Sequence, residues 1–133
     1  MKLKNILIVV DDMERSKKFY HDLFGLRAVK DFGGNVILTE GLVLQERAAW
    51  EALTGRKTVR GDGDAELYFE ENNLDFFLEK IKGYPEPVRY LNPPETGGDP
   101  GGRKVVRFYD PDGHLIEVAG PHHAGKPAEQ TGG

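Results

Sequence analysis

One acidic residue lies where the sequence otherwise predicts a buried strand. Glu117 is set into the apolar run 115–118, which follows the turn sequence Asp-Pro-Asp-Gly at residues 110–113. A carboxylate in such a strand costs free energy unless a ligand, a proton or a cation balances it. Glu117 is therefore the first candidate for a catalytic or binding residue.

Arg107, on the strand predicted before this turn, is a candidate binding residue that is also able to neutralise Glu117. The two side chains share a face of the hairpin only if the turn closes with an odd number of residues. An ordinary loop of two or four residues would pair Arg107 with Ile116 instead. The sequence leaves both registers open.

Other kinds of catalytic group are scarce. The chain has no cysteine, which excludes disulfides, thiolate metal sites and a cysteine nucleophile. Ser16 is the only serine and lies on a predicted helix, so a Ser/His/Asp arrangement is not expected. None of the four histidines has a metal-ligand partner at a recognisable spacing.

Composition sets the class of protein. The chain has 133 residues, 38% of them hydrophobic, which fits one domain, or two very small ones that share a core. The net charge is -4 with both signs interspersed, which argues against nucleic acid as a partner. No apolar stretch approaches membrane-spanning length. We expect a cytoplasmic protein that binds neither nucleic acid nor membrane.

Two halves of the chain repeat one order of elements, a strand, a helix and three strands. Apolar periodicity and glycine punctuation indicate the elements of the first half at residues 6–10, 13–24, 27–30, 36–39 and 42–45. Those of the second half are indicated at residues 65–70, 74–81, 87–90, 104–109 and 114–119. The sequence thus predicts an α+β fold of two βαβββ modules.

We expect these modules, at about 1–60 and 64–119, to form a single domain at 1–120 with a flexible tail at 121–133. Pairing two modules gives a curved mixed sheet whose concave side is a cleft. Alternate strand residues point to opposite faces, so Asn5 and Leu7 are expected to line the cleft. By the same rule Gln45 points with Val43, Glu66 with Tyr68, and Glu117 with Leu115.

Several segments together resemble the glyoxalase/bleomycin-resistance/dioxygenase group, the vicinal oxygen chelate superfamily, over roughly residues 3–119. The segments that carry the resemblance are residues 9–12, 16–20, 23–26, 41–44, 66–70 and 110–117. The resemblance implies paired βαβββ modules, commonly assembled as homodimers whose clefts bind small molecules or a divalent metal. It does not fix a reaction, because the group includes isomerases, dioxygenases, resistance enzymes and metal-free binding proteins.

The resemblance also implies which residues stand at the metal positions of this group. They are Asn5, Gln45, Glu66 and Glu117, where metal-dependent members commonly carry histidines and glutamates. Only Glu117 keeps the usual residue type. The pattern of two histidines and one glutamate is broken, which argues against iron-dependent ring cleavage.

Two interpretations of these four residues stay open. With Glu117, Glu66 and Gln45 as ligands, an all-oxygen set would suit a hard cation such as Mg²⁺ or Mn²⁺, with Ni²⁺ and Zn²⁺ as further candidates. Alternatively, the amides donate hydrogen bonds to the carboxylates and the cleft holds no metal. Two close carboxylates would also let Glu66 or Glu117 keep a proton and act as a general acid or base.

These observations lead to one function and one alternative. We expect a protein that binds a small organic molecule, with Glu117 and Glu66 as polar anchors and with the ligand-binding residues Asn5, Leu7, Gln45, Trp50, Tyr68, Arg107, Tyr109 and Leu115. The alternative is a divalent-metal-dependent lyase or isomerase that acts on a carbonyl compound. The glycine-rich segment 92–102 is either a lid over the cleft or a surface loop.

Overall fold

A computed structural model describes residues 1–59, 65–92 and 104–121 of the chain. The first module contains β1 (Ile6–Val10), α1 (Met13–Phe24), β2 (Ala28–Asp31), β3 (Asn35–Leu38) and β4 (Leu42–Glu46), and a further helix, α2 (Arg47–Thr54), follows it. The second contains β5 (Glu66–Glu70), α3 (Leu74–Lys82), β6 (Val105–Tyr109) and β7 (Leu115–Ala119). Most of the predicted tail 121–133 and most of the segment 92–102, expected as a lid or a surface loop, lie outside the described residues. No described helix is long and apolar enough to cross a membrane.

The prediction of an α+β fold with two βαβββ modules is confirmed, with one sheet per module. The strand order is β1-β4-β3-β2 in the first sheet and β5-β7-β6 in the second. Within the described ranges no strand pairing joins the two sheets. The modules therefore form two separate sheets where one continuous curved sheet was expected. β1 and β5 are each an edge of their sheet.

The strand expected at residues 87–90 is reduced to one bridge, between Tyr90 and Phe108. Backbone hydrogen bonds flank it, from the Tyr109 amide to the Arg89 carbonyl and from the Leu91 amide to the Arg107 carbonyl. Pro87 lies in this segment and has no amide hydrogen to donate to a ladder. The segment therefore follows β6 without forming a full strand.

Local sequence explains why α1 begins and ends where it does. The Asp12 side chain accepts a hydrogen bond from the Arg15 amide at the start of the helix. Gly25 ends the helix with a φ of 71°, a left-handed conformation that glycine adopts without steric cost. α3 is capped in the same way by Asn73, which accepts from the Phe76 amide.

The helix α1 packs against both sheets. It contacts β4 of the first sheet, while the ring of Phe24 lies 4.2 Å from that of Phe69 and 6.2 Å from that of Phe108 in the second. Leu44 of the first sheet and Phe108 of the second belong to one continuous core. Each sheet therefore packs one face against the helices, and its other face lies outside this core.

The turn between β6 and β7 ties α1 to the second module through two buried carboxylates. The Tyr20 hydroxyl donates to Asp110 over 2.6 Å, and the Ser16 hydroxyl donates to Asp112 over 3.3 Å. Asp112 also accepts from the Asp11 backbone amide over 2.9 Å. Burial raises the pKa of Tyr20 well above its ordinary value, and the charge and hydrogen bond of Asp110 raise it further, so the hydroxyl keeps its proton.

Replacing Tyr20 by Phe should test this connection. We expect Tyr20→Phe to lower the free energy of unfolding by about 1 to 3 kcal/mol, because Asp110 loses a buried donor while the ring still fills its place. Tyr84→Phe is the matched control. The Tyr84 hydroxyl makes no hydrogen bond to any described residue, so a change within about 0.5 kcal/mol is expected. Equal losses in urea unfolding of the two variants would contradict the assigned role of Asp110.

Candidate functional site

Glu117 lies on the central strand of the second sheet, opposite Arg107. Only 14% of its side chain is exposed, and the Arg107 Nε donates to Glu117 Oε1 over 3.0 Å. The hairpin closes with Tyr109 opposite Leu115, so that residues 110–114 form a loop with an odd number of residues. Of the two registers that the sequence left open, the structure has the one in which Arg107 and Glu117 share a face. The guanidinium group of Arg107 therefore balances the charge of the partly buried Glu117.

Glu66 interacts with this ion pair from the neighbouring strand. Burial raises the pKa of the Glu66 carboxyl, the negative charge of Glu117 and a hydrogen bond with it raise this pKa further, and the positive charge of Arg107 opposes them. The two carboxyls are therefore close enough to influence each other's protonation. Together Glu66, Arg107 and Glu117 form the polar centre of the site, which we call the carboxylate pair with its arginine.

Aromatic and apolar side chains surround this centre in the order that the strand register dictates. Tyr68 lies opposite Glu117 on β5, and Leu115 lies between Glu66 and Tyr109. Tyr68 is 44% exposed, whereas Leu115 and Tyr109 are half-buried. The second sheet therefore presents, on the side away from the core, a polar centre flanked by two phenol rings.

A groove of about 670 Å³ runs along the free edge of β5. Its other walls come from residues 24–27, at the end of α1, and from residues 39–42, before β4. Glu66 and Tyr68 both line it. These two residues can therefore be reached from the groove as well as from the face of the sheet.

The predicted site residues of the first module lie elsewhere. Leu7 pairs with Val43 on the first sheet, and Gln45 accepts a hydrogen bond from the Asn35 amide group over 2.6 Å. Asn5 is exposed and precedes β1, while Trp50 is half-buried on α2. Leu7 and Gln45 thus belong to the first sheet and the carboxylate pair to the second, and no described strand pairing joins the two sheets.

The residues of one chain fit a divalent metal poorly. Across residues 1–59, 65–92 and 104–121 there is no group of three His, Asp or Glu side chains that is able to hold an ion. One oxygen of Glu117 already accepts from Arg107, whose charge repels a cation. The Gln45 carbonyl is likewise engaged by Asn35.

Comparison with known proteins identifies the family of this fold. Residues 3–122 match the family described as glyoxalase-like domain. The chain belongs to this family. The glyoxalase-like domain thus spans both modules, as the resemblance in the sequence implied.

Solved structures of similar proteins share the fold of this glyoxalase-like domain. A protein of unknown function from Agrobacterium tumefaciens is 34% identical with a TM-score of 0.75, covering 92% of this chain and 95% of that one. A glyoxalase-related enzyme from Fulvimarina pelagi is 20% identical, with a TM-score of 0.70 and coverage of 92% and 93%. The fosfomycin resistance protein FosX from Listeria monocytogenes is 17% identical, with a TM-score of 0.64 and coverage of 97% and 98%.

A characterised relative is larger than this glyoxalase-like domain. The manganese-dependent 2,3-dihydroxybiphenyl 1,2-dioxygenase of Geobacillus genomosp. 3 is 26% identical over 121 residues, which cover 88% of this chain. The chain spans only 36% of that dioxygenase. The activity of the larger protein therefore does not transfer to this domain by similarity alone.

Sequence reasoning missed the role of the turn acids. Asp110 and Asp112 were interpreted only as residues of a common turn, yet both are buried and hydrogen-bonded to α1. A signal was present, because Ser16 and Tyr20 stand one helical turn apart on the same face of α1. Two hydroxyls on an otherwise apolar helix face require buried partners.

The raised pKa of Glu66 gives a direct test of the carboxylate pair. Replacing Glu117 by Gln should lower the pKa of Glu66, because a negative neighbour is removed, and Arg107→Gln should raise it. Glu70→Gln, two positions beyond Tyr68 on the same strand, is the control and should leave it unchanged. The side-chain ¹³C shift of Glu66, followed by NMR against pH, measures all three.

The same shift has a consequence for stability. A carboxyl whose pKa is raised on folding keeps its proton in the folded state at pH values where the unfolded chain has released it. The contribution of Glu66 to stability is therefore lost as the pH rises from its unfolded pKa through its folded one. If the pKa of Glu66 were the same in Glu117→Gln and in Arg107→Gln as in the parent protein, the coupling of Glu66 to these two residues would be refuted.

Proposed function

We propose that this glyoxalase-like domain binds a small organic molecule at the carboxylate pair with its arginine. The observation that carries the proposal is the partly buried ion pair between Arg107 and Glu117, set among exposed or half-buried aromatic rings on a sheet face outside the core. Ion pairs of this kind contribute little to stability, because desolvation offsets their attraction. An ion pair on a sheet face outside the core therefore favours a role in recognition.

The chemistry of the site suggests the class of ligand. Arg107 offers N–H donors, Glu117 offers acceptor oxygens, and Glu66 carries a proton more readily than an ordinary glutamate. Tyr68 on β5 and Tyr109 on β6 supply aromatic rings on either side of the central strand β7, which carries Glu117. A small ring compound with a carbonyl or hydroxyl group would satisfy both kinds of contact.

Binding can be tested with a set of fluorinated ring compounds that carry carbonyl or hydroxyl groups, observed by ¹⁹F NMR. Compounds that bind should lose at least about tenfold in affinity on Glu117→Gln or Arg107→Gln, since each variant leaves a charged partner unpaired. Glu79→Gln on α3 and Arg56→Gln after α2 are matched controls on exposed residues. Hits that bind all four variants equally would refute the proposal.

We further propose that a second copy of the chain completes the cleft. Among the described strands, β1 and β5 are edges of their sheets, and they carry Ile6 and Tyr68, with 52% and 44% exposure. Exposed edge strands invite pairing with another chain. A two-fold dimer that covers both edges would bring the first sheet of one copy beside the second sheet of the other, so that Asn5 and Gln45 approach Glu66 and Glu117.

Charge placed on the β1 edge should separate the copies. We expect the 14.9 kDa chain to sediment as a dimer and Ile6→Glu to sediment as a monomer with lost ligand affinity. Val29→Glu, on the opposite edge strand β2 and 61% exposed, is the matched control and should remain dimeric. Dissociation by Val29→Glu alone, or a monomeric parent protein, would contradict this arrangement.

The second candidate is a divalent-metal-dependent lyase or isomerase that acts on a carbonyl compound. It is favoured by the mutual influence of Glu66 and Glu117 and by the manganese dependence in the name of the Geobacillus relative. Titration with Mn²⁺ separates the two candidates, because a paramagnetic ion at this site would broaden the amide signals of both glutamates. Stoichiometric broadening that Glu117→Gln abolishes would favour the enzyme, and its absence would favour metal-free binding.

A further inference from the structure

A second cavity, of about 230 Å³, lies beside the start of the β6–β7 turn. It is bounded by α1, by the segment 84–89 and by the start of the turn, and its lining includes Arg15, Phe19, Tyr84, Arg89, Tyr109 and Pro111. It therefore combines two guanidinium groups with aromatic and proline walls. Of the residues assigned to the carboxylate pair and its surroundings, Tyr109 alone also lines this cavity.

Arg15 lines this cavity, and its guanidinium is held by a buried carboxylate. Its Nε is buried and has no hydrogen-bond partner among the described residues, although a third of the side chain is exposed. Its Nη2 lies 3.6 Å from a carboxylate oxygen of buried Asp112, which holds the guanidinium in place. With the guanidinium held in this way, a ligand oxygen in the cavity would meet donors that are already oriented.

Arg89 supplies the second positive charge. Its guanidinium carbon lies 4.0 Å from the centre of the Tyr109 ring, a stacked contact that leaves the N–H groups in the guanidinium plane. It forms no ion pair with any of the described carboxylates. Arg89 is thus oriented by an aromatic ring and keeps its donors for another group.

Acidic residues at the cavity limit the charge of its ligand. The Asp110 carboxylate is saturated, since it accepts from the Tyr20 hydroxyl, the His114 ring and the backbone amides of Asp112 and His114. Glu86 also lines the cavity and would repel a second negative charge. The volume lies below the roughly 300 Å³ at which pockets for drug-sized ligands begin.

We propose that this cavity is a binding site for a small organic monocarboxylate, whose oxygens are held by Arg15 and Arg89 and whose apolar body contacts the proline and aromatic walls. Carboxylate geometry matches the planar fork of a guanidinium group. This site does not depend on the function proposed for the carboxylate pair.

Benzoate is a suitable probe, and benzamide is its uncharged counterpart. We expect benzoate to shift the NMR signals of the Tyr84 and Val88 amides and to bind at least about tenfold more tightly than benzamide. Arg89→Gln should weaken benzoate binding by a similar factor. Arg56 is exposed and does not line the cavity, so Arg56→Gln should bind benzoate as the parent protein does.

Arg15 is tested with two variants because its contact to Asp112 also supports the fold. Arg15→Lys keeps the positive charge but removes the buried Nε donor, while Arg15→Gln removes both. We expect benzoate affinity to fall in both variants, and more in Arg15→Gln, at temperatures where urea unfolding shows them to be folded. Equal binding of benzoate and benzamide, unchanged affinity in Arg89→Gln, or shifts confined to the Tyr68 and Glu117 amides would overturn the proposal.

Discussion

The hydrogen bonds from α1 to the buried acids of the β6–β7 turn are the contacts on which the arrangement of this protein depends. Tyr20 and Ser16 bind Asp110 and Asp112 at the end of the second sheet, while the same helix packs on β4 of the first. Buried carboxylates with these partners cannot exchange them for apolar contacts without cost. α1 is thereby fixed against both sheets, and the sheet faces away from the helices are left to carry function.

The ion pair between Arg107 and Glu117 then decides what chemistry the second sheet can offer. A free Glu117 beside Glu66 would form a doubly negative site that attracts a cation. With Arg107 on the same face, the three groups carry a net charge of about -1, and they offer donors and acceptors side by side. Such a centre suits a neutral polar ligand better than a bare metal ion.

Parts of this arrangement could be predicted from the sequence because they depend on neighbours along the chain. The ends of α1 depend on its flanking residues Asp12 and Gly25. Alternation along β7 puts Glu117 on the face opposite Ile116 and Val118, which are buried in the core. The hairpin register could not be predicted, since Asp110 and His114 close the loop through their own backbone hydrogen bond. Nor could alternation show that Gln45 and Glu66 belong to separate sheets. Alternation fixes the face of the strand on which a side chain lies, but it does not fix which strands pair with each other.

Tyr109 links the two proposed binding sites through the strand that bears it. Its position in β6 is fixed by pairing with Leu115, whose other neighbour is Glu66, while Arg89 stacks on its ring. A carboxylate that binds Arg89 would hold this stack in place and restrict the ring beside Leu115. Tyr109 therefore serves as a wall of both proposed sites, and its ring position is set by β6 and by the Arg89 stack together.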